Sequence, residues 1–107
     1  MTSKAPVLPP FVRVLGVDVC IREAAETELD GDDVGRCFTN AALVVYDPRT
    51  DYQELRDTVL HELIHFIDHK LNGKQRLKED QVCQLAAVLV PMLQDNLEFA
   101  KWLQSRD

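Results

Sequence analysis

Apolar and polar residues alternate in the first part of the chain. Between residues 11 and 22, apolar side chains occupy every second position from Leu15 onwards, and they are Leu15, Val17, Val19 and Ile21. A period of two is typical of a β-strand with one buried face, so this region predicts the first strand. Residues 37–46 end in the β-favouring segment Leu43-Val44-Val45-Tyr46 and predict a second strand region, which Asp47 and Pro48 terminate.

The chain between these two regions is strongly acidic. Residues 24–35 contain two glycines and five carboxylates, namely Glu26, Glu28, Asp30, Asp32 and Asp33. An EF-hand calcium loop would need ligands at fixed alternating positions, a closing glutamate and two flanking helices. We therefore expect a solvated loop here rather than a calcium site.

The apolar period changes to that of a helix after residue 50. Two overlapping start signals fit a capping box or its aspartate variant, and they pair Thr50 with Gln53 and Asp51 with Glu54. The Asn72-Gly73 pair supplies a stop, so we predict a helix that runs to about Leu71. Its apolar residues cover one broad arc, and they are Leu55, Val59, Leu60, Leu63, Ile64, Phe66, Ile67 and Leu71.

Two further helices are predicted in the last third of the chain. The first runs from about Leu77 to Leu93, and Pro91 is expected to kink or end it. The second is short and amphipathic, and the pair Asp95 and Glu98 marks its start.

These elements predict an α+β fold of one domain. A small, mostly antiparallel sheet formed by residues 11–46 would pack against the helices. The chain of 107 residues is long enough for one core, so we expect residues 11–107 to form a single domain. Residues 1–10 contain several prolines and are expected to form a flexible N-terminal arm.

Charge and cysteine usage narrow the classes of function. The net charge is −6, and this argues against a surface for nucleic acid or an anionic membrane, both of which need clustered Lys and Arg. The chain has an odd number of cysteines, and they are widely spaced at Cys20, Cys37 and Cys83. This pattern indicates reduced thiols and a cytoplasmic protein. No apolar run has the length of a signal peptide core or a membrane span.

The strongest chemical signal is the His61-Glu62-Leu63-Ile64-His65 segment of the first predicted helix. Residues four apart lie one turn above each other, so His61 and His65 project from one face and can share one Zn²⁺. Both lie away from the apolar arc, which disfavours histidines that merely fill the core. Glu62 would take the proton from a water molecule whose pKa zinc lowers to roughly 7.

A catalytic zinc site needs a third protein ligand. His69 continues the spacing, but on a straight helix it would lie about 12 Å from His61, too far to reach the same ion. Glu79 lies at the start of the next predicted helix, which runs back antiparallel to the first. It is the first residue on the side of that helix that is expected to face inward. A buried carboxylate there would need a cationic partner. Glu79 is therefore the candidate ligand, and Asp80 is the alternative.

The motif at residues 60–65, followed by Glu79, Val82, Leu85 and Ala86 at helical spacing, resembles the minimal gluzincin metallopeptidases. It is most similar to the ImmA/IrrE-like and small phage-encoded zincin-like proteins. The resemblance covers residues 55–91, about a third of the chain. It departs from the family pattern in a short link between the two helices and at three positions, Lys78, Val82 and Leu85.

The resemblance implies a zincin-like fold and metal-assisted hydrolysis of a peptide bond. Zn²⁺ would be bound by His61, His65 and Glu79, and Glu62 would be the catalytic residue. The strand before the zinc helix, about Ala42 to Tyr46, would be the sheet edge that takes an extended peptide by strand addition.

Several neighbouring residues have open roles in this prediction. Asp68 would either accept an N–H from a ligand imidazole or pair with a lysine on the helix surface. His69 would be an outer residue of the site or a surface residue. A group that stabilises the developing oxyanion could be supplied by Tyr46, Tyr52 or His69.

Two other classes of function remain open. The chain could be an inactive zincin-like module that binds a regulatory protein partner and hydrolyses nothing. It could also hold a purely structural zinc ion, although that site would need a fourth protein ligand. The favoured interpretation is a zinc peptidase that acts on a peptide or protein.

Overall fold

A computed structural model describes residues 7–106. Within this range the chain forms an α+β fold, as predicted, with four strands followed by three helices. The strands are β1 (Phe11–Val14), β2 (Val17–Glu23), β3 (Gly35–Phe38) and β4 (Leu43–Tyr46). The helices are α1 (Tyr52–Asn72), α2 (Glu79–Asp95) and α3 (Leu97–Gln104).

Each predicted strand region is in fact a pair of strands. Leu15 and Gly16 have φ angles of 50° and 77°, and they form the tight turn of a β1–β2 hairpin. Two-residue turns of this kind need positive φ at both central positions, and the glycine accommodates one of them. A 3₁₀ turn, Thr39–Ala41, separates β3 from β4 in the same way. The prediction of one strand for residues 11–22 was wrong, because the alternating pattern continues through the turn at Leu15 and Gly16.

The four strands form one mixed sheet in the order β1-β2-β4-β3. The pairs β1–β2 and β3–β4 are antiparallel, and β2–β4 is parallel. The prediction that residues 42–46 form a sheet edge was therefore wrong. Strand β4 lies inside the sheet, where Val44 and Val45 are fully buried, and such a continuous apolar run is typical of a strand covered on both faces. The edges are β1 and β3.

Helix α1 has the predicted boundaries. The side chain of Asp51 accepts hydrogen bonds from the backbone N–H groups of Gln53 and Glu54, so Asp51 rather than Thr50 is the N-cap. Gly73 ends the helix with a φ of 72°. The helix packs on the sheet through a buried cluster that joins both elements, and its members are Val19, Ile21, Val44, Val59, Leu63 and Phe66.

Helix α2 packs against α1 and begins beside its C-terminal half. Val82 and Ala86 of α2 are buried against Ile64 of α1. The helix continues past Pro91 to Asp95, so the proline does not end it. The short α3 helix follows as predicted.

The segment before β1 contacts the domain where it is described. Leu8 packs against the main core cluster, and the Pro10 carbonyl accepts a hydrogen bond of 2.8 Å from the Ile21 N–H. Residues 1–6 of the predicted arm lie outside the described residues. None of the helices between residues 7 and 106 is both long and apolar enough to cross a membrane.

Candidate metal centre

Three side chains from two helices converge on one point. His61 and His65 lie one turn apart on α1, and their Nε2 atoms are 3.2 Å from each other. Glu79, the first residue of α2, places Oε1 2.6 Å from Nε2 of His61 and Oε2 2.9 Å from Nε2 of His65. The structure therefore brings together the three residues that the sequence nominated as metal ligands.

The spacing of these atoms suits a small tetrahedral cation. Zinc bonds to imidazole nitrogen and carboxylate oxygen of roughly 2.0–2.1 Å imply donor atoms about 3.3 Å apart. The separations of 2.6 to 3.2 Å between the donor atoms in the structure are slightly shorter, so modest side-chain adjustment would admit the ion. Two nitrogens and one oxygen are a ligand set that zinc accepts, and a fourth position would stay open. The donor set thus fits the implied metal.

The alternative ligands do not join this cluster. Asp80 accepts a hydrogen bond from the N–H of Gln81 and belongs to none of the potential metal-binding groups in the described part of the chain. His69 lines the neighbouring cleft without contributing a donor atom to those groups, which are His61 with Glu79 and Cys83, and His61 with Glu62 and His65. Glu79 completes the cluster because the first turn of α2 faces the part of α1 that carries His61 and His65.

The buried carboxylate of Asp68 fixes the turn between α1 and α2, which brings Glu79 close to His61 and His65. It accepts hydrogen bonds of 2.9 Å from the backbone N–H groups of both Arg76 and Leu77, and one of 2.8 Å from Asn72 Nδ2. These bonds, led by that of Leu77, lower the pKa of Asp68. Asp68 therefore holds the α1–α2 turn, a role different from both of those predicted for it.

Glu62 lies beside the cluster and is buried. Its Oε2 is 3.9 Å from Nε2 of His61, and the residue is only 8% exposed. Burial raises the pKa of Glu62 to about 7, and the negative charges of Glu79 and Asp33 add to the effect. A carboxylate with such a pKa is suited to accept and return a proton near neutral pH.

The raised pKa predicts that the metal-free protein loses stability as pH increases. Folded Glu62 holds its proton more tightly than the unfolded chain, whose glutamates titrate at the ordinary value of 4.5. The free energy of unfolding should therefore fall between pH 4.5 and pH 7, by up to about 3 kcal/mol from this group. Urea unfolding at pH 5 and pH 8, with a chelator present, measures the loss. Glu62→Gln should show a smaller loss, and an identical pH dependence in both proteins would contradict the assignment.

The cluster opens into a cleft of about 500 Å³. Edge strand β3 and the residues around it form one wall, and the motif of α1 with the start of α2 forms the other. Of the three residues considered for oxyanion stabilisation, His69 lines the cleft, whereas Tyr46 and Tyr52 are not among its lining residues. Six lining residues were not predicted from the sequence to belong to the site, and they are Asp33, Gly35, Arg36, Cys37, Thr39 and Gln75.

Gly35 lets β3 approach the motif helix closely. A Cβ atom at this position would lie 2.6 Å from Cγ2 of Thr58 and 3.3 Å from Oε2 of Glu62. The backbone of Gly35 is outside the left-handed region, so the constraint is space and not φ. Gly35 is the first residue of β3 and was placed in the loop predicted for residues 24–35, so the sequence carried no signal of this close approach.

We expect Gly35→Ala to destabilise the fold by about 1–3 kcal/mol, because the new methyl group must displace Thr58 or separate β3 from α1. Urea unfolding of the metal-free protein measures the change. Thr58→Ser removes the clashing Cγ2 atom, so the double variant should recover part of the loss relative to Thr58→Ser alone. Full stability of Gly35→Ala would contradict the close packing.

Comparison with known proteins adds no assignment. No family model, curated protein or solved structure matches this chain.

Proposed function

We propose that this protein is a zinc-dependent peptidase with a minimal zincin-like site. The observation that carries the proposal is the convergence of His61 Nε2, His65 Nε2 and the Glu79 carboxylate, with buried Glu62 alongside. This arrangement supports a cation bound by three protein atoms and a neighbouring base, which is the composition of a hydrolytic zinc site.

Each residue has a defined task in the proposed reaction. His61, His65 and Glu79 hold the metal, and a bound Zn²⁺ supplies Lewis acidity and makes water easier to deprotonate. Glu62 takes the proton from the attacking water and delivers it to the leaving amine nitrogen. The sequence of proton transfers needs no covalent bond between protein and substrate. Of the three residues considered from the sequence, His69 lines the cleft, and it is the proposed donor for the developing oxyanion.

The substrate that fits this cleft is an extended peptide. Strand β3 pairs with β4 on one side and is the sheet edge on the cleft wall. A peptide can add to such an edge by main-chain hydrogen bonds, which would place its carbonyl groups beside Glu62 and the metal ligands. Strand β3 thus takes the role that the sequence analysis gave to residues 42–46. The three unpaired thiols favour action in the cytoplasm.

A regulatory binding module remains the second candidate. The Glu79 side chain is 64% exposed, so the proposed centre is open to solvent on one side. A protein partner could complete that wall and use the site for recognition without hydrolysis.

Peptide cleavage by the zinc-loaded protein tests the proposal. A mixed peptide library would be incubated with the protein, and new termini would be identified by mass spectrometry. We expect cleavage that a chelator abolishes and added Zn²⁺ restores, and no cleavage by His65→Ala. A protein that binds zinc yet cleaves no peptide would contradict the peptidase and favour the binding module.

A further inference from the structure

Cys83 contacts the first motif histidine at the nitrogen that does not face the cluster. It lies one turn after Glu79 on α2, so both residues project from the same face of that helix. Its Sγ is 3.7 Å from Nδ1 of His61, while Nε2 of the same ring is 2.6 Å from Glu79 Oε1. The His61 ring is therefore contacted at both nitrogens by α2.

The chemistry of imidazole assigns a direction to the sulfur contact. A neutral imidazole carries one ring proton, and the nitrogen that binds a metal must present its lone pair. Because Nε2 of His61 faces His65 and Glu79, a metal bound there leaves the proton on Nδ1. The Nδ1–H group then donates towards Cys83 Sγ.

Sulfur is an unusual acceptor for this proton. Metal-bound histidines almost always donate their second N–H to a carboxylate, a backbone carbonyl or water, and this bond orients the ring and raises its basicity. A thiol is a weak acceptor, so it orients His61 while adding little to its basicity. The zinc affinity of the site should consequently be lower than it would be if the same ligands had a stronger acceptor at Nδ1 of His61.

We propose that Cys83 is a positioning residue that accepts the Nδ1 proton of His61 and limits the zinc affinity of the centre. This inference rests on the proposed metal centre and does not require peptidase activity. Its distinctive consequence is that a stronger acceptor at position 83 improves metal binding.

The test compares zinc dissociation constants, measured by chelator competition, for the wild type, Cys83→Ala and Cys83→Asp. An aspartate reaches slightly further than cysteine and offers a carboxylate to Nδ1–H. We expect Cys83→Asp to bind Zn²⁺ about tenfold more tightly and Cys83→Ala to bind it a few fold more weakly. Gln84→Asp adds the same charge at the adjacent exposed position of α2 and should leave the constant unchanged.

Urea unfolding midpoints of the metal-free variants show whether each remains folded. Four outcomes would overturn the inference. If the wild type binds zinc and both Cys83 variants bind it with the same affinity, Cys83 does not act on the metal centre. The proposed function would be unaffected by that result. An equal gain in zinc affinity in Cys83→Asp and Gln84→Asp would mean that the added negative charge alone causes the effect. A sulfur-to-metal charge-transfer band in the Co²⁺-loaded wild type that Cys83→Ala abolishes would make the thiolate a ligand. Absence of zinc binding by the wild type would overturn the proposed function together with this inference.

Discussion

Glu62→Gln is expected to lower the rate of peptide hydrolysis by about 100-fold or more while zinc binding is retained. The amide has the size of the carboxylate but cannot take a proton from water, and general base catalysis typically contributes 10²–10⁴-fold. Glu62 is buried and its pKa is raised to about 7, so an uncharged replacement suits its surroundings. The measurement is kcat on the best substrate from the peptide library, alongside zinc content by mass spectrometry.

The matched control for this variant is Glu54→Gln. Glu54 lies in the first turn of the same helix and is exposed, so its replacement should leave both kcat and zinc content unchanged. Retained activity in Glu62→Gln would show that Glu62 is not the general base. Loss of zinc in Glu62→Gln would instead show that the carboxylate supports the metal and does not act only on the substrate.

Glu79→Ala is expected to weaken zinc binding by at least about 100-fold. The substitution removes both carboxylate oxygens that face the two imidazoles, and it leaves two ligands where three are needed. Loss of an outer partner alone typically costs 10–100-fold, so the loss of a ligand should exceed that range. Chelator competition measures the dissociation constant, and His61→Ala and His65→Ala should behave in the same way.

Asp80→Ala provides the control at the neighbouring position. Asp80 belongs to the same first turn of α2 and is exposed, so its replacement removes an equal charge without touching the cluster. Its zinc affinity should match the wild type. If Asp80→Ala lost zinc and Glu79→Ala kept it, the ligand assignment would pass to Asp80.

The boundaries of α1 could be predicted because local chemistry determines them. Asp51 caps the first turn with two hydrogen bonds, and Gly73 adopts the left-handed conformation that ends the helix. Both signals are readable within a few residues of sequence. The spacing of His61 and His65 follows from the helix itself, so the core of the candidate site could be predicted as well.

The order of the strands could not be predicted in the same way. It depends on pairing between segments distant in the chain, such as the parallel contact of β2 with β4. The alternating pattern also continues through Leu15, whose φ of 50° carries no sequence signal. Strand β3, the edge that lines the cleft, begins in the predicted acidic loop and ends in the second predicted strand region, so its edge position could not be predicted.

The parts of the site that depend on tertiary contacts were only partly accessible. Glu79 was nominated because a helix that doubles back brings its first turn near α1, and because a buried carboxylate there would need a cationic partner. The expected burial was wrong, since the Glu79 side chain is 64% exposed. Asp68, which holds that turn through the N–H groups of Arg76 and Leu77, has no sequence motif that distinguishes it from a surface carboxylate. Cys83 carried no signal at all, because its relation to His61 exists only in the packed pair of helices.

Anomalous diffraction at the zinc absorption edge, from crystals of the zinc-loaded protein, tests the central claim most directly. We expect one peak within roughly 2.0–2.2 Å of His61 Nε2, His65 Nε2 and a Glu79 oxygen, with no other protein ligand. A peak bound by a fourth protein ligand would contradict the open catalytic site and indicate a structural ion. The absence of a peak at these residues would contradict the metal centre itself.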